Sequence, residues 1–437
     1  MNLNLTKHEV LKRYFGHDEF RPSQDTVIDA VLSGRDVLGV MPTGAGKSVC
    51  FQIPALMLPG VTIVISPLIS LMKDQVSQLR HGQIPAAFIN SSLSAVQYRD
   101  VLKRVSGGEY KLVYVAPERL GTEGFLSFAL ETQISLVAVD EAHCVSQWGQ
   151  DFRPSYLKID SFIRKLKNRP VIGAYTATAT DDVKADIIRF LELSNPLCLT
   201  TGFDRPNLSF GVEKPKDKCR RFHELIARWS SPHGGAAPES TGTFHGNVPC
   251  GVVYCSTRKT VDEVCSQLRR RGISAGRYHA GLDAEERQKN QDDFIQNRIS
   301  VIVATNAFGM GIDKPDVRYV IHYNMPKNLE NYYQEAGRAG RDGKPSECIL
   351  LFSDDDIKTS EFFINNVEDN PELTEAQRKI VYKQDVKRLD EMIRYSEISG
   401  CLRAFILGYF GEKQKGKCGN CSNCLKPSFW SRFRGRF

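Results

Sequence analysis

The sequence predicts an α/β protein built of two parallel-sheet lobes in tandem, with a small helical, cysteine-bearing domain behind them. Three observations lead there. Short, uniformly apolar, β-branched runs alternate with helical stretches, and the alternation occurs twice. A proline-containing break, Asp204-Arg205-Pro206-Asn207, separates the two sets. Beyond Asp354 the strand pattern stops, helical spacing takes over, and four cysteines crowd into 24 residues. At 437 residues the chain is long enough for two or three cores.

In the first lobe, residues 1–203, the candidate strands are Asp36 to Val40, Thr62 to Ile65, Leu112 to Val115, Leu136 to Val139 and Val171 to Tyr175. None alternates polar with apolar residues, the mark of strands covered on both faces. Between them, Ser70 to Leu79 carries Leu71, Met72, Val76 and Leu79 on one stripe, as a helix does. The second lobe, 204–353, offers strands at Gly251 to Tyr254, Val301 to Ala304, Val317 to Ile321 and Cys348 to Phe352, with a helix over Val261 to Arg271. Ser231 to Asn247 reads as an exposed loop, and Asp204 to Asn207 as a hinge. The third region, 354–426, begins helically: Ile380, Val381, Val386, Leu389, Met392 and Ile393 recur at helical spacing within Thr374 to Tyr395. A basic, aromatic tail, 427–437, closes the chain and is too short to fold alone.

Composition excludes several classes. An apolar fraction of 41% and a charged fraction of 25% are those of a globular protein, not a disordered one. No run of about 18 uncharged apolar residues offers a membrane span, and Met1 to Leu11 lacks an apolar signal core. The net charge of +7 is compatible with phosphate contacts without requiring them.

Chemistry enters after the first strand. Met41-Pro42-Thr43-Gly44-Ala45-Gly46-Lys47-Ser48 joins that strand to the apolar segment Val49 to Leu58. Glycines let backbone N–H groups wrap a polyphosphate at a helix start; Lys47 reaches the β and γ phosphates, and Ser48 ligates Mg²⁺. Asp140-Glu141-Ala142-His143 closes the strand Leu136 to Val139. Two adjacent acids there suit a cleft with a cation: Asp140 holds Mg²⁺ through water, and Glu141 orients and deprotonates the attacking water. Read without context, the same four residues are a helix cap. Thr176 and Thr178 end another strand near them.

In the second lobe, Tyr333-Gln334-Glu335-Ala336-Gly337-Arg338-Ala339-Gly340-Arg341-Asp342-Gly343 carries two arginines three residues apart, which a helix places on one face. Guanidinium groups beside a γ-phosphate neutralise charge that develops during its transfer. Asp313, in the glycine-rich stretch after Val301 to Ala304, is a ribose or arginine partner. Ser256 and Arg258 follow a strand and are candidates for nucleic-acid phosphates. Such a pair of lobes sharing one ATP implies a motor that closes on binding and opens on hydrolysis.

Cys401, Cys418, Cys421 and Cys424 stand in the order Cys-x16-Cys-x2-Cys-x2-Cys. Without a secretory signal, metal ligation is favoured over disulfides, and four thiolates form a closed tetrahedral Zn²⁺ site, with an iron–sulfur cluster as the rival.

These residues, in order, resemble the RecQ helicases of helicase superfamily 2, over essentially the whole chain. The set comprises Phe20-Arg21-Pro22-Ser23-Gln24, the phosphate loop, Ser66 through Gln75, Asp140 through His143, Thr176-Ala177-Thr178, Asp204 through Asn207 and Gln334 through Gly343. Ser146-Gln147-Trp148-Gly149-Gln150-Asp151-Phe152-Arg153-Pro154 is the most diagnostic, since generic DEAD-type RNA helicases lack it. The resemblance implies two tandem RecA-like lobes, a zinc element that supports DNA binding, and 3′-to-5′ DNA unwinding driven by ATP and Mg²⁺. It implies that Gln24 reads the adenine edge, that Arg21 packs on the ring, and that His17 stands where relatives stack an aromatic side chain. Gln334 belongs with Arg338 and Arg341 in the catalytic set. Trp148, Phe152 and Arg153 would offer surfaces to unpaired bases, which rings and guanidinium groups also suit on physical grounds. Gln150 replaces a histidine usual in relatives. The winged-helix and helical nucleic-acid-binding domains that many relatives carry next are not expected here.

The leading expectation is therefore a DNA helicase acting in repair or recombination on DNA with a single-stranded region, beside single-strand-binding or repair proteins. The compartment expected is the bacterial cytoplasm at the chromosome, or the nucleus in a eukaryote. The alternatives are a DNA-stimulated translocase that unwinds weakly and a non-catalytic DNA-binding scaffold. Oligomeric state is not legible.

Overall fold

A computed structural model of the chain describes residues 5–42, 44–67, 69–230, 248–308, 314–366, 373–414 and 416–425. The segments expected as an exposed loop (231–247) and a basic tail (427–437) lie outside them. Two compact units divide the chain: Met1–Phe203 with Glu372–Gln377, and Asp204–Pro371 with Arg378–Phe437.

The first unit holds a seven-stranded sheet of β1 (Val37–Val40), β2 (Val61–Ile65), β3 (Ala86–Ile89), β4 (Leu112–Val115), β5 (Ile134–Val139), β6 (Val171–Thr176) and β7 (Leu197–Thr200). Its order is β3-β4-β2-β5-β6-β1-β7, and every recorded pair is parallel. Strands β1, β2 and β4 are buried at every position, as their unbroken apolar runs demand. Asp36, buried just ahead of β1, accepts from Arg169 Nη2 (2.5 Å), Ile172 N (2.9 Å) and Ser194 N (2.7 Å). The strand order places β6 between β5 and β1, so the turns after these three strands sit side by side at the sheet's carboxyl edge.

The second unit holds a six-stranded sheet of β8 (Leu208–Glu213), β9 (Gly251–Tyr254), β10 (Ala275–Tyr278), β11 (Val301–Ala304), β12 (Tyr319–His322) and β13 (Ser346–Leu351). Its order is β10-β11-β9-β12-β13-β8, again parallel throughout. Gly251 is dictated by packing: a Cβ there would lie 2.0 Å from the Tyr319 ring, which stacks on Trp229 at 4.0 Å. Helices Asp354–Asn365, Glu375–Glu397 and Leu402–Tyr409 follow β13. The cysteine-rich turn covers edge strand β8: Phe210 bridges Cys421, Ser209 Oγ donates to Asn420 O (3.0 Å), and Val212 N donates to Ser422 Oγ (3.3 Å).

Four strands were not anticipated. β3 is Ala-rich, β10 contains Gly276 and Arg277, and β7 and β8 are edge strands whose residues are only partly or alternately covered.

Candidate nucleotide site, nucleic-acid groove and metal centre

The phosphate loop turns out of β1 and into helix Val49–Met57. Gly44 (φ +88°) and Gly46 (φ +79°) adopt the left-handed conformation that favours glycine. Side chains hold the loop's carbonyls from behind. Arg21 Nη1 donates to Gly44 O, and Gln24 Nε2 donates to Ala45 O (3.2 Å) and Gly46 O (3.0 Å). Gln24 Oε1 accepts from Arg21 N (2.8 Å), so this buried amide, expected at an adenine edge, is engaged at both ends, by the loop's carbonyls and by the Arg21 backbone. A Cβ on Gly46 would meet Gln24 Nε2 at 2.4 Å. His17 is exposed, and Ser48 opens the helix without a side-chain cap bond. Thr43 lies outside the described residues.

Lys47 Nζ approaches Glu141 Oε1 at 3.6 Å, and Glu141 Oε2 lies 3.4 Å from His143 Nδ1. The same nitrogen shares a 2.8 Å hydrogen bond with Thr176 Oγ1 at the end of β6. Glu141 sits at φ +47°, a left-handed conformation costing roughly 1–2 kcal/mol for a residue with a Cβ. It precedes the short 3₁₀ turn Ala142–Val145 yet makes no side-chain cap bond to it, so the capping alternative has no support in the geometry. Burial pushes the Asp140 carboxyl well above the ordinary carboxylate range, Glu141 adds to the shift, and Lys47 opposes it. Burial also lowers the His143 imidazole, which favours its neutral form.

The Ser146–Pro154 loop hangs on this turn. Gln150 Nε2 lies 3.4 Å from His143 Nε2, and Ser146 Oγ donates to Asp186 Oδ2 (2.6 Å). Trp148 is 44% exposed, so its ring is not buried in the core. Phe152 is half-buried. Arg153 is committed locally, to Asp151 Oδ2 (2.9 Å) and Pro67 O (2.9 Å).

In the second unit, helix Leu329–Ala336 carries Gln334 and stops before either arginine. Arg338 and Arg341 therefore lie in the turns that follow, not on a helix face, because Gly337 caps the helix and Gly340 takes φ +55°. Arg338 is buried, with the Tyr254 hydroxyl beside it; that hydroxyl donates to Phe308 O at 3.0 Å. Asp313 is outside the described residues.

Ser256 and Arg258 line one wall of a groove of about 790 Å³ at the carboxyl ends of β9 and β11. Thr305 contributes from β11's end, while Lys358, Phe362 and Phe363 of helix Asp354–Asn365 form the other wall. Sequence reasoning missed this helix face. The signal was present: Phe362 and Phe363 are 63% and 46% exposed, adjacent rings on a charged helix.

The four cysteines converge as expected, with their sulfurs within 4.8 Å of one another. Cys418 and Cys424 Sγ are 3.8 Å apart, and Cys421 and Cys401 Sγ are 4.0 Å apart. Bonds of about 2.3 Å to one tetrahedral Zn²⁺ separate thiolates by about 3.8 Å, so the set fits a single ion. A multi-iron cluster, in which each thiolate binds a different iron, would hold them farther apart.

Paired parallel-sheet lobes, a glycine-rich phosphate loop and an adjacent acid pair define a two-lobed helicase core. Residues 21–186 match the DEAD/DEAH box helicase family, residues 243–343 the helicase conserved C-terminal domain, and residues 354–425 the RecQ zinc-binding domain. The chain is 46% identical to the ATP-dependent DNA helicase RecQ of Bacillus subtilis, covering 95% of this chain and 66% of that protein. It is 36% identical to the protein named "Probable ATP-dependent DNA helicase RecS" of the same organism, covering 96% of this chain and 92% of that one. The Saccharomyces cerevisiae protein Dbp5, solved bound to RNA and ADP BeF3, shares the fold at TM-score 0.59 and 18% identity, covering 87% of this chain and 98% of its own. The chain belongs to the RecQ family of helicases, has the DEAD/DEAH box and conserved C-terminal helicase domains, and carries that family's zinc-binding element. It spans just under two thirds of the length of the Bacillus RecQ protein, 66%. Among the described residues no helix is long and apolar enough to cross a membrane.

Proposed function

We propose that this chain is an ATP-dependent 3′-to-5′ DNA helicase that works on DNA with a single-stranded region during repair or recombination, at the chromosome. The observation that carries the reading is a continuous line of contacts in the first unit. Lys47 meets Glu141, Glu141 meets His143, and His143 reaches Thr176 on one nitrogen and Gln150 on the other. The phosphate loop is thereby connected to the loop that displays Trp148.

In this mechanism Lys47 holds the β and γ phosphates of ATP, and the loop's N–H groups wrap them. Ser48 and Asp140 would hold Mg²⁺; hard oxygen donors suit that ion, and a dication would relieve the cost of a buried Asp140 carboxylate beside Glu141. Glu141 orients the attacking water and takes its proton. Gln334, Arg338 and Arg341 act on the transferred phosphoryl group, the arginines neutralising its developing charge. Strand bases stack on Trp148 and Phe152, and Gln150 relays their presence to His143. Ser256 and Arg258 take strand phosphates in the second unit's groove.

The test is phosphate release with and without single-stranded DNA, followed by unwinding. Lys47→Ala and Glu141→Gln each lower DNA-stimulated turnover by about a hundredfold or more. A duplex with a 3′ tail is unwound in preference to one with a 5′ tail or to an RNA duplex. Unchanged turnover in either variant refutes the catalytic assignment, and unwinding of the 5′-tailed duplex alone refutes the polarity.

A further inference from the structure

The turns bearing Arg338 and Arg341 are held from outside themselves. Their carbonyls converge on one side chain: Arg205 Nη1 donates to Gly337 O (3.3 Å), and Nη2 donates to Ala339 O (3.0 Å) and Gly340 O (2.9 Å). Asn207 Nδ2 adds bonds to Gly340 O (2.8 Å) and Lys344 O (3.0 Å). Substituting Gly340 would force this arrangement apart, since a Cβ would lie 2.5 Å from Asn207 Nδ2 and 2.8 Å from Lys344 O.

The segment that supplies Arg205 and Asn207 is in turn gripped by the cysteine-rich element. Arg403 is nine-tenths buried; its Nη1 reaches Asp204 Oδ1 and donates to Arg205 O (2.7 Å), while its Nη2 donates to Leu208 O. Arg403 lies two residues from Cys401, whose sulfur caps helix Leu402–Tyr409 by accepting from Ala404 N (3.4 Å). Asn420, between Cys418 and Cys421, donates from Nδ2 to Pro206 O (3.2 Å) and Leu208 O (3.2 Å). The stretch 204–208 is thus bonded on one side to the metal-binding turns and on the other to the arginine-bearing turns. Nothing in the one-dimensional pattern linked these three segments.

We propose that Arg403 is a positioning residue for ATP hydrolysis: anchored in the zinc element, it fixes Asp204 to Leu208, and through Arg205 it fixes the turns that present Arg338 and Arg341. The inference rests on the reading of those arginines as acting on the terminal phosphoryl group. A planar guanidinium is required because three acceptors in different directions must be met at once, which a lysine ammonium on a flexible stem does not reproduce. A misplacement of about 1 Å at a transition-state contact costs about a hundredfold in rate. The effect therefore falls on kcat, with nucleotide and DNA binding spared.

The experiment uses the full chain and compares Arg403→Lys, Arg338→Lys and the double variant. For each it measures zinc content, single-stranded DNA affinity, and kcat and KM for ATP with saturating DNA. The expected result for Arg403→Lys is one zinc per chain, DNA affinity and KM within about threefold of the parent, and kcat lower by about tenfold to a hundredfold. In the double variant the two losses do not multiply, because both act through the same group. If Arg338→Lys slows hydrolysis and Arg403→Lys does not, the positioning role is overturned while the proposed function stands. If Arg338→Lys leaves kcat unchanged, the arginine reading itself fails. Loss of zinc in Arg403→Lys, or a fall in DNA affinity matching the fall in kcat, overturns the proposal in favour of a general folding role.

Discussion

Replacing Gly149 with alanine tests whether the Trp148 loop governs hydrolysis through His143. The added Cβ would stand 2.1 Å from the His143 carbonyl oxygen and 3.0 Å from that of Ser146. Both obstacles are backbone, and the first is the residue that touches Glu141 and Thr176. Ordinary contact requires the loop and the His143 turn to part by roughly 1 Å. Overpacking of this kind costs about 1–3 kcal/mol, and a coupling free energy of that size corresponds to about 5- to 150-fold. The penalty falls on the arrangement in which Gln150 meets His143, so the stimulation of ATPase by single-stranded DNA should drop by about tenfold or more. Basal turnover should fall less than the stimulation does, because Asp140 keeps its own backbone bonds, from its N to Ile65 O and from the Tyr156 hydroxyl to its O. Gly408→Ala is the control: among the described residues nothing beyond its chain neighbours and its own helix backbone lies within 4 Å of the added Cβ, alanine is favoured in a helix, and no change is expected. Steady-state phosphate release across a DNA titration reads both quantities. Full stimulation in Gly149→Ala at an unchanged DNA affinity would refute the coupling route.

Two further outcomes follow from separate regions. Purified protein should carry one zinc per chain, and Cys424→Ser or a strong chelator should remove it with loss of folded structure in the region after Ile398; structural zinc contributes on the order of 10 kcal/mol to such elements. Metal analysis with limited proteolysis checks this, and iron in place of zinc would contradict it. His223 provides a pH test: burial foremost, then the charge of Arg271, depress its imidazole to about 4. Between that value and about 6.5 the unfolded chain binds a proton that the folded chain refuses, so stability falls as pH drops, by up to about 1.4 kcal/mol per unit. Urea denaturation of the parent and His223→Gln over this range should show a shallower pH slope in the variant; identical slopes would exclude the group.

How much of this was legible depended on how local each feature is. Leu112–Val115, Gly251–Tyr254 and Val301–Ala304 coincide with their expected strands because sheet strands covered on both faces need unbroken apolar runs. β10 escaped notice because Arg277 spends its charge on Asp262 and Glu286 while its backbone pairs in the sheet. The phosphate loop and the cysteine set were readable since their spacing alone carries the chemistry. The i, i+3 spacing of Arg338 and Arg341 suggests a helix face, but Gly337 and Gly340 end the helix before either residue can share one. Asp204 to Asn207 reads as a hinge for its proline, and the division between the two units falls at its start; its bonds to segments about 130 and 200 residues away in sequence are not legible. Pairings of that range leave no periodic trace.

The two units solve one physical problem twice. A glycine-containing turn at a strand or helix end must satisfy its backbone carbonyls. In the first unit Arg21 and Gln24 collect the carbonyls of Gly44, Ala45 and Gly46. In the second, Arg205 and Asn207 collect those of Gly337, Ala339 and Gly340. In each case a guanidinium and a carboxamide close together in sequence serve three carbonyls within four residues. Planar, multi-donor side chains are the economical choice there, since one rigid fork meets several acceptors with little loss of side-chain freedom. The consequence is that Arg21 and Gln24 have a structural duty before any nucleotide arrives. Their substitution should disturb the glycine-rich loop itself, and defects in such variants would report loop geometry.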